Sequence, residues 1–353
     1  PDGSVKLHPF PKTSPVPKVE LNFKQSGTTA HLLLPILAAL GMDAECKASG
    51  TLLKRTLIPL SSRMAIRGIK FSSFNFPLTM TGTLQPGDYV FAGDEGSQYI
   101  SGALMALPLL RSDSEIKLSS PLIDDSYIDI TLNSMKEFGV IAEVTEYGFK
   151  VPGRQVYKSP GSCTAENDWA LGTMWACAGC LSKSDDDLVR VTGLPANSVQ
   201  MYRNFKYAMS LLRHDVKYLN VDASGCPNLA CLYAIFGASK GSGMDIVGVP
   251  QLKFEETDRL KAVAECVKAL GVSAKATDDG IKIQERENFD YPEDTLIECK
   301  GDPWIFMSTA LAAGCLPKPV ILDDERCPEK VYRNFLADYE RLGGKYEILD
   351  KLP

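Results

Sequence analysis

Phe254-Glu255-Glu256-Thr257-Asp258-Arg259-Leu260 is followed by Ala262, Val263, Ala264, Val267 and Leu270, and then by Gly271. The apolar positions recur on one face of a 3.6-residue period. A glycine just past the last of them is a common helix stop, because it takes the left-handed conformation without steric cost. The stretch therefore predicts an amphipathic helix over 257–271, opened by two adjacent carboxylates and an arginine.

The same pattern returns on either side. Amphipathic runs span Tyr127 to Gly139, Met201 to Arg213 and Val331 to Gly343, with a weaker copy near Arg63. A second kind of run is rich in Ala, Leu and Gly and apolar all round: Ser26 to Leu40, Gly96 to Leu110, Asn167 to Leu181, Asn228 to Gly237 and Gly301 to Leu316. Helices without a polar face belong in the interior. Short alternating segments, Val19 to Phe23, Glu115 to Leu118, Ala142 to Val151, Leu188 to Val191, Gly280 to Ile283 and Thr295 to Glu298, read as strands. The two helix styles alternate at intervals of roughly 55 to 75 residues, which makes about five units. An α/β fold of repeated units in two domains is the expectation.

Composition narrows the function. With 353 residues, 44% hydrophobic and 23% charged, the chain can bury two cores. A net charge of -6 and the lack of a basic stripe argue against nucleic acid and against a membrane surface. No run reaches the ~18 apolar residues of a membrane helix. The ten cysteines include several in apolar helical runs (Cys177, Cys180, Cys231, Cys266, Cys315) and read as reduced core residues of a cytoplasmic protein. Cys177-Ala-Gly-Cys180 has half the spacing of a zinc site, but no second pair accompanies it, so no metal and no cofactor are expected. There is no Gly-x-Gly-x-x-Gly or P-loop pattern. The proline-rich start, with no methionine, leads us to expect a segment upstream.

Five local runs, in order, carry a resemblance that covers essentially the whole chain: Gln25-Ser26-Gly27-Thr28-Thr29-Ala30-His31-Leu32, Gly96-Ser97-Gln98 through Met105, Tyr127-Ile128-Asp129-Ile130-Thr131-Leu132, Asn167-Asp168-Trp169, and the Glu256 run. They resemble the enolpyruvyl transferases that make 5-enolpyruvylshikimate 3-phosphate. The resemblance implies a two-domain inside-out αβ fold in which each domain holds three βαβαββ units and the domains close over substrate. It divides this chain at Tyr157 to Pro160, into an upper domain (1–158) with two units and a lower domain (159–353) with three. About five of the six units are present and the first is the absent one. The implied reaction moves the carboxyvinyl group of phosphoenolpyruvate to the 5-hydroxyl of shikimate 3-phosphate in the shikimate pathway, without metal. The implied partners are these two small anions, and a protein chain supplying the absent unit is a further expectation.

Residue by residue, the resemblance assigns Glu256 and Lys330 to catalysis, with Asn228 where an aspartate is expected. To substrate binding it assigns Gly27, Thr28, Lys54, Ser97, Gln98, Tyr127, Gln251 and Arg259. The departures matter as much. His31 stands where an arginine clamps a carboxylate, and an imidazole lacks the guanidinium's fixed fork. In Gly50-Thr51-Leu52-Leu53-Lys54-Arg55, ungapped alignment puts Leu53 at a second arginine's place and a one-residue shift puts Lys54 there. Asp124 replaces a phosphate-contacting serine, and two like charges at 4 Å repel by ~4 kcal/mol at an effective dielectric near 20. Asn228 cannot take a proton, and Pro303-Trp304 replaces a His-Arg pair. Asp222, five residues before Pro227, is a candidate substitute for the lost aspartate. Glu255 beside Glu256 fits either a carboxylate pair that shares a proton or a solvated helix start stabilised by the dipole. Two functions follow: a transferase with an altered acceptor, or a non-catalytic relative that binds a partner.

Overall fold

The computed structural model of the chain describes residues 5–8, 18–122, 126–181, 189–200, 216–255, 257–286, 291–314 and 316–351. The first repeat runs β1 (Lys18–Asn22), α1 (Gly27–Ala39), β2 (Asp43–Lys47), α2 (Ile58–Ile66), β3 (Ile69–Phe71) and β4 (Leu78–Gly82). Its sheet has the order β1-β2-β4-β3, with β1 and β2 parallel and β4 antiparallel to both β2 and β3. The helix α1 supplies the crossover that a parallel pair requires. The second repeat repeats this order: β5 (Asp88–Phe91), α3 (Ser97–Ala106), β6 (Ser114–Leu118), α4 (Ser126–Glu137), β7 (Glu143–Thr145) and β8 (Gly148–Val151), paired β5-β6-β8-β7.

Helix α5 (Trp169–Leu181) precedes the third complete copy: β9 (Tyr218–Asp222), α6 (Ala230–Ser239), β10 (Gly243–Val247), α7 (Arg259–Ala269), β11 (Ala274–Ala276) and β12 (Ile281–Ile283). The last copy holds a parallel pair, β13 (Thr295–Ile297) and β14 (Val320–Leu322), around α8 (Pro303–Ala313), followed by α9 (Phe335–Arg341). The βαβαββ unit that the resemblance implied is thus complete three times among the described residues. Registers repeat as well: Lys18 faces Asp43, Asp88 faces Glu115, Tyr218 faces Gly243 and Thr295 faces Val320.

The chain forms two compact units. One holds Pro1–Phe91, Gln98–Ser119 and Gly139–Lys158; the other holds Ala92–Ser97, Ser120–Phe138 and Ser159–Pro353. In the second unit α6 packs on α8 and α8 on α5, and every residue of α6 is buried. This is the environment expected for helices with no polar face. In the first unit Arg63 and Arg67 of α2 and its end donate to the Val90 and Asp88 carbonyls of β5 and tie the two repeats together. None of the described helices is long and apolar enough to cross a membrane.

Caps explain the helix limits. Ser26, Asp258 and Asp302 each accept from first-turn amides, and Pro303 takes the first turn of α8, where a missing N–H costs nothing. Gly139 and Gly271 end α4 and α7 at φ of 75° and 77°. Three strand readings change. Ala142 to Val151 is not one strand but the hairpin β7–β8, turned at Glu146-Tyr147. The described part of Leu188 to Val191, from Val189 on, is not a strand. β2 (Asp-Ala-Glu-Cys-Lys) was hidden by its charges, although it alternates, with Ala44 and Cys46 buried and the charged residues turned out. The run Met201 to Arg213 lies outside the described residues.

Gly148 and Gly280 occupy equivalent hairpins, and a methyl group at either would overlap a backbone carbonyl, that of Ile116 or Ile246. Neither carbonyl can retreat, since each belongs to the central strand of its sheet. We expect Gly148→Ala, which also carries φ of 143°, to destabilise the first unit by about 3 kcal/mol or more. A shift of its urea midpoint checks this, and an unchanged midpoint would refute the overlap.

Candidate active site

The expected binding residues fall into two groups, one in each unit. In the first unit Ser26 caps α1, and Gly27 opens the helix. A Cβ on Gly27 would stand 3.2 Å from Nη1 of Arg55 and 3.7 Å from the His31 ring. A guanidinium therefore lies against the positive end of α1, a combination suited to an anion. The short turn Gly50–Lys54 delivers Arg55, with Leu52 buried beneath it. Lys54 and Leu53 are exposed, so the structure brings neither of the two aligned candidates to Gly27 but Arg55 instead. Thr28 is exposed on the same turn.

His31 is 2% exposed, and its Nδ1 lies 2.8 Å from Oε1 of Gln98, with Tyr99 packed on the ring at 4.6 Å. The helices α1 and α3 approach this closely because Gly102 has no side chain to meet the His31 carbonyl. Ser97, which opens α3 and counts with the second unit, is buried. Burial first, and the Arg55 charge to a smaller degree, push the imidazole down from 6.5 to about 4, against the Gln98 hydrogen bond, which raises it. His31 is therefore neutral near pH 7 and does not replace an arginine's charge.

A stability prediction follows. The unfolded chain takes up a proton at the ordinary histidine value while the folded chain resists it down to about 4. The contribution is complete above about pH 6.5 and is lost as pH falls towards 4, by about 3 kcal/mol in all. Urea titrations at several pH values should show that slope, and His31→Leu should flatten it; an equal slope in the variant would contradict the assignment.

The second unit carries the other group. Arg259 is 5% exposed at the start of α7; its Nε donates to Oδ2 of Asp302 at 2.6 Å and its Nη1 donates to Oδ1 of Asn228 at 2.9 Å. Asp302 is also the cap of α8, accepting from the amides of Trp304 and Ile305. Lys330 donates to the carbonyl of Gly301, next to Asp302, at 2.7 Å. Arg259 thus pairs with a carboxylate that the sequence reading did not single out, with Asn228 on the other side of the guanidinium and Lys330 on the carbonyl of the residue before Asp302. An acid before a proline at a helix start, Gly301-Asp302-Pro303, is the signal that marks it.

Beside this cluster lies a cleft of about 80 Å³, lined among others by Tyr127, Asp168, Gln200, Asn228 and Trp304. Tyr127 is 43% exposed there. The volume is well below the 300 Å³ or more of a typical ligand site, so this unit alone does not enclose a phosphorylated ring. Gln251 sits in the turn Pro250–Phe254 with both side-chain amide atoms buried and without a hydrogen bond, as is the Thr257 hydroxyl. Asp222 is exposed and accepts from the Ser224 amide. Glu256 and Asp124 lie outside the described residues. Among the described residues no three His, Cys, Asp or Glu side chains gather as a metal site.

The first and third repeats share a register at an offset of 200 residues, and the turns Gly50–Lys54 and Pro250–Phe254 stand at the same offset, so Arg55 takes the place that Glu255 has in the third repeat.

Comparisons agree with this architecture. The family model described as EPSP synthase (3-phosphoshikimate 1-carboxyvinyltransferase) matches residues 2–338. The 3-phosphoshikimate 1-carboxyvinyltransferase of Clostridium kluyveri is 29% identical over 349 residues, covering 94% of this chain and 80% of that protein. Its counterpart in Methanocorpusculum labreanum is 27% identical over 347 residues, with 94% and 80% covered. Among solved structures, the EPSP synthase of Acinetobacter baumannii matches with a TM-score of 0.71 at 16% identity, over 93% of this chain and 80% of that one. The enolpyruvyl transferase NikO of Streptomyces tendae matches at 0.63 and 15% identity, over 89% and 76%. With a family match that runs nearly the full length and repeats that show the family's unit three times over, the chain belongs to the EPSP synthase family.

Proposed function

We propose that the chain is an enolpyruvyl transferase whose acceptor differs from shikimate 3-phosphate. The acceptor hydroxyl oxygen bonds to C2 of phosphoenolpyruvate as C3 gains a proton. C3 then returns a proton as the C2–O bond to phosphate breaks, which leaves the carboxyvinyl ether and inorganic phosphate. The observation that carries this reading is the arrangement of Arg259 between Asp302 and Asn228, the latter lining the cleft, with Lys330 on the Gly301 carbonyl. In this reading Arg55 at the α1 start receives the phosphoenolpyruvate carboxylate. Transfer to shikimate 3-phosphate is impaired because His31 is neutral and Asn228 cannot accept a proton.

The test is phosphate release from phosphoenolpyruvate with shikimate, methyl shikimate and shikimate 3-phosphate in turn, beside the Clostridium kluyveri enzyme. Release should depend on acceptor, with shikimate 3-phosphate at least a hundredfold below that enzyme. Rates no higher than those without protein, for every acceptor, would sink the proposal.

One observation favours a second reading, as a binding subunit. α1 is apolar all round, yet Leu32, Leu33, Ile36 and Ala39 are only half-buried and Leu40 is exposed, whereas α6 is buried entirely. A protein segment bearing a further repeat unit would cover that stripe. Light scattering of the chain, alone and mixed with the part of the Clostridium kluyveri protein that has no match here, distinguishes an inert monomer from a complex.

A further inference from the structure

His31 fills neither of the roles that its place would give it. Burial keeps its ring uncharged near pH 7, so it is no clamp for an anion. The fold does not demand an imidazole there either: at the 200-residue offset between the first and third repeats stands Cys231, fully buried, so a small apolar side chain serves at that turn of the helix. A buried imidazole gives up its hydration and has to recover it in hydrogen bonds.

The bond it makes is specific. Nδ1 of His31 lies 2.8 Å from Oε1 of Gln98. An amide oxygen only accepts, so Nδ1 carries the ring hydrogen and Nε2 the lone pair, the reverse of the tautomer that a free histidine prefers. Cε1 of the same ring and Nη1 of Arg55 flank one point, the place a Cβ on Gly27 would take, at 3.7 and 3.2 Å. The Gln98 amide therefore stands one imidazole ring away from the start of α1. With its oxygen taken, that amide has only N–H groups to offer.

We infer that His31 is a positioning residue: its Nδ1–H holds the Gln98 oxygen, so that the Nε2 hydrogens of the same amide become a second donor, beside Arg55, for the anion received at the start of α1. Without the imidazole the amide is free to turn over and present its oxygen, which repels an anion. The inference rests on the reading that this anion is phosphoenolpyruvate, but neither the tautomer nor the binding requires turnover.

The experiment has two parts, both on the full chain. Ring-nitrogen NMR of the histidine-labelled protein at pH 7, with the His31 signals identified by their absence from His31→Asn, should show a hydrogen on Nδ1 and none on Nε2. Calorimetric titration with phosphoenolpyruvate should show binding weaker by about tenfold or more in His31→Phe and in Gln98→Ala, the effect of one lost hydrogen bond to a charged ligand. His31→Asn, whose Nδ2 donates from nearly the place of Nδ1, should bind within about threefold of the parent. His31→Phe combined with Gln98→Ala should bind no more weakly than Gln98→Ala alone, because the ring acts only through the amide. A hydrogen on Nε2 in the parent, parent-like binding by His31→Phe, no recovery in His31→Asn, additive losses in the double variant, or no uptake of phosphoenolpyruvate by the parent would each overturn the inference. The tautomer is read on the parent, so it decides even where a variant does not fold. If the ring and the binding behave as described while no acceptor releases phosphate from phosphoenolpyruvate, the positioning role stands and the transferase reading falls.

Discussion

Replacing Asp302 by alanine is expected to destabilise the second unit by about 3–5 kcal/mol, the usual cost of leaving a buried charge without its partner. The side chain is completely buried, and Arg259 beside it nearly so. Burial alone would push the guanidinium down, but Asp302 foremost, with Cys231 and Glu255, raises it above its ordinary value, so it stays charged at every accessible pH. The same carboxylate caps α8, and losing a cap costs about 1 kcal/mol in addition. Asp302→Asn separates the two effects, because it keeps an acceptor for the helix amides while removing the charge. It should remain strongly destabilised, and adding Arg259→Met should recover part of the loss. The three tryptophans, Trp169, Trp175 and Trp304, all lie in this unit, so their fluorescence in urea reports on it selectively. A midpoint within 1 kcal/mol of the parent for Asp302→Ala would show that the pair does not hold the unit together.

Arg55→Ala should lower kcat/KM for phosphoenolpyruvate by about a hundredfold or more, the range seen when one preorganised donor to a developing or bound anion is removed. The guanidinium lies against Gly27 at the start of α1, where the positive end of the helix and a fixed fork meet. Arg55→Lys keeps the charge and loses the fork, so an intermediate loss is expected. Because Arg55 is only half-buried, neither change should alter the unfolding midpoint of its unit much. Steady-state rates with phosphoenolpyruvate varied against a fixed acceptor provide the measurement. An unchanged kcat/KM in both variants would remove Arg55 from the site and return attention to Lys54.

These two residues show where reading the chain stops short. Arg259 was visible because it opens a helix in a run dense with charge. Asp302 was not, although the two touch, because they are far apart in sequence and belong to different repeats. Arg55 was not singled out for a related reason: alignment assigns a residue by its place in the chain, whereas the end of the turn Gly50–Lys54 decides which side chain lies against Gly27. His31 was read as a poor clamp, and its neutral state depends on burial, which only packing supplies and which outweighs the opposing hydrogen bond to Gln98.

Periodicity and punctuation, by themselves, determined the helices and their two styles, most of their limits and the recurrence of a common unit, while five local runs carried the resemblance to the family. Apolar spacing and glycine stops act within a few residues of themselves, so they can be read along one chain. Strands such as β2, the hairpin at Gly148 and the pairing of Arg259 with Asp302 were decided by the tertiary structure. Sheet partners, buried charges and the balance of cations against carboxylates are properties of groups brought together from distant repeats, and a linear sequence does not express the distances between them.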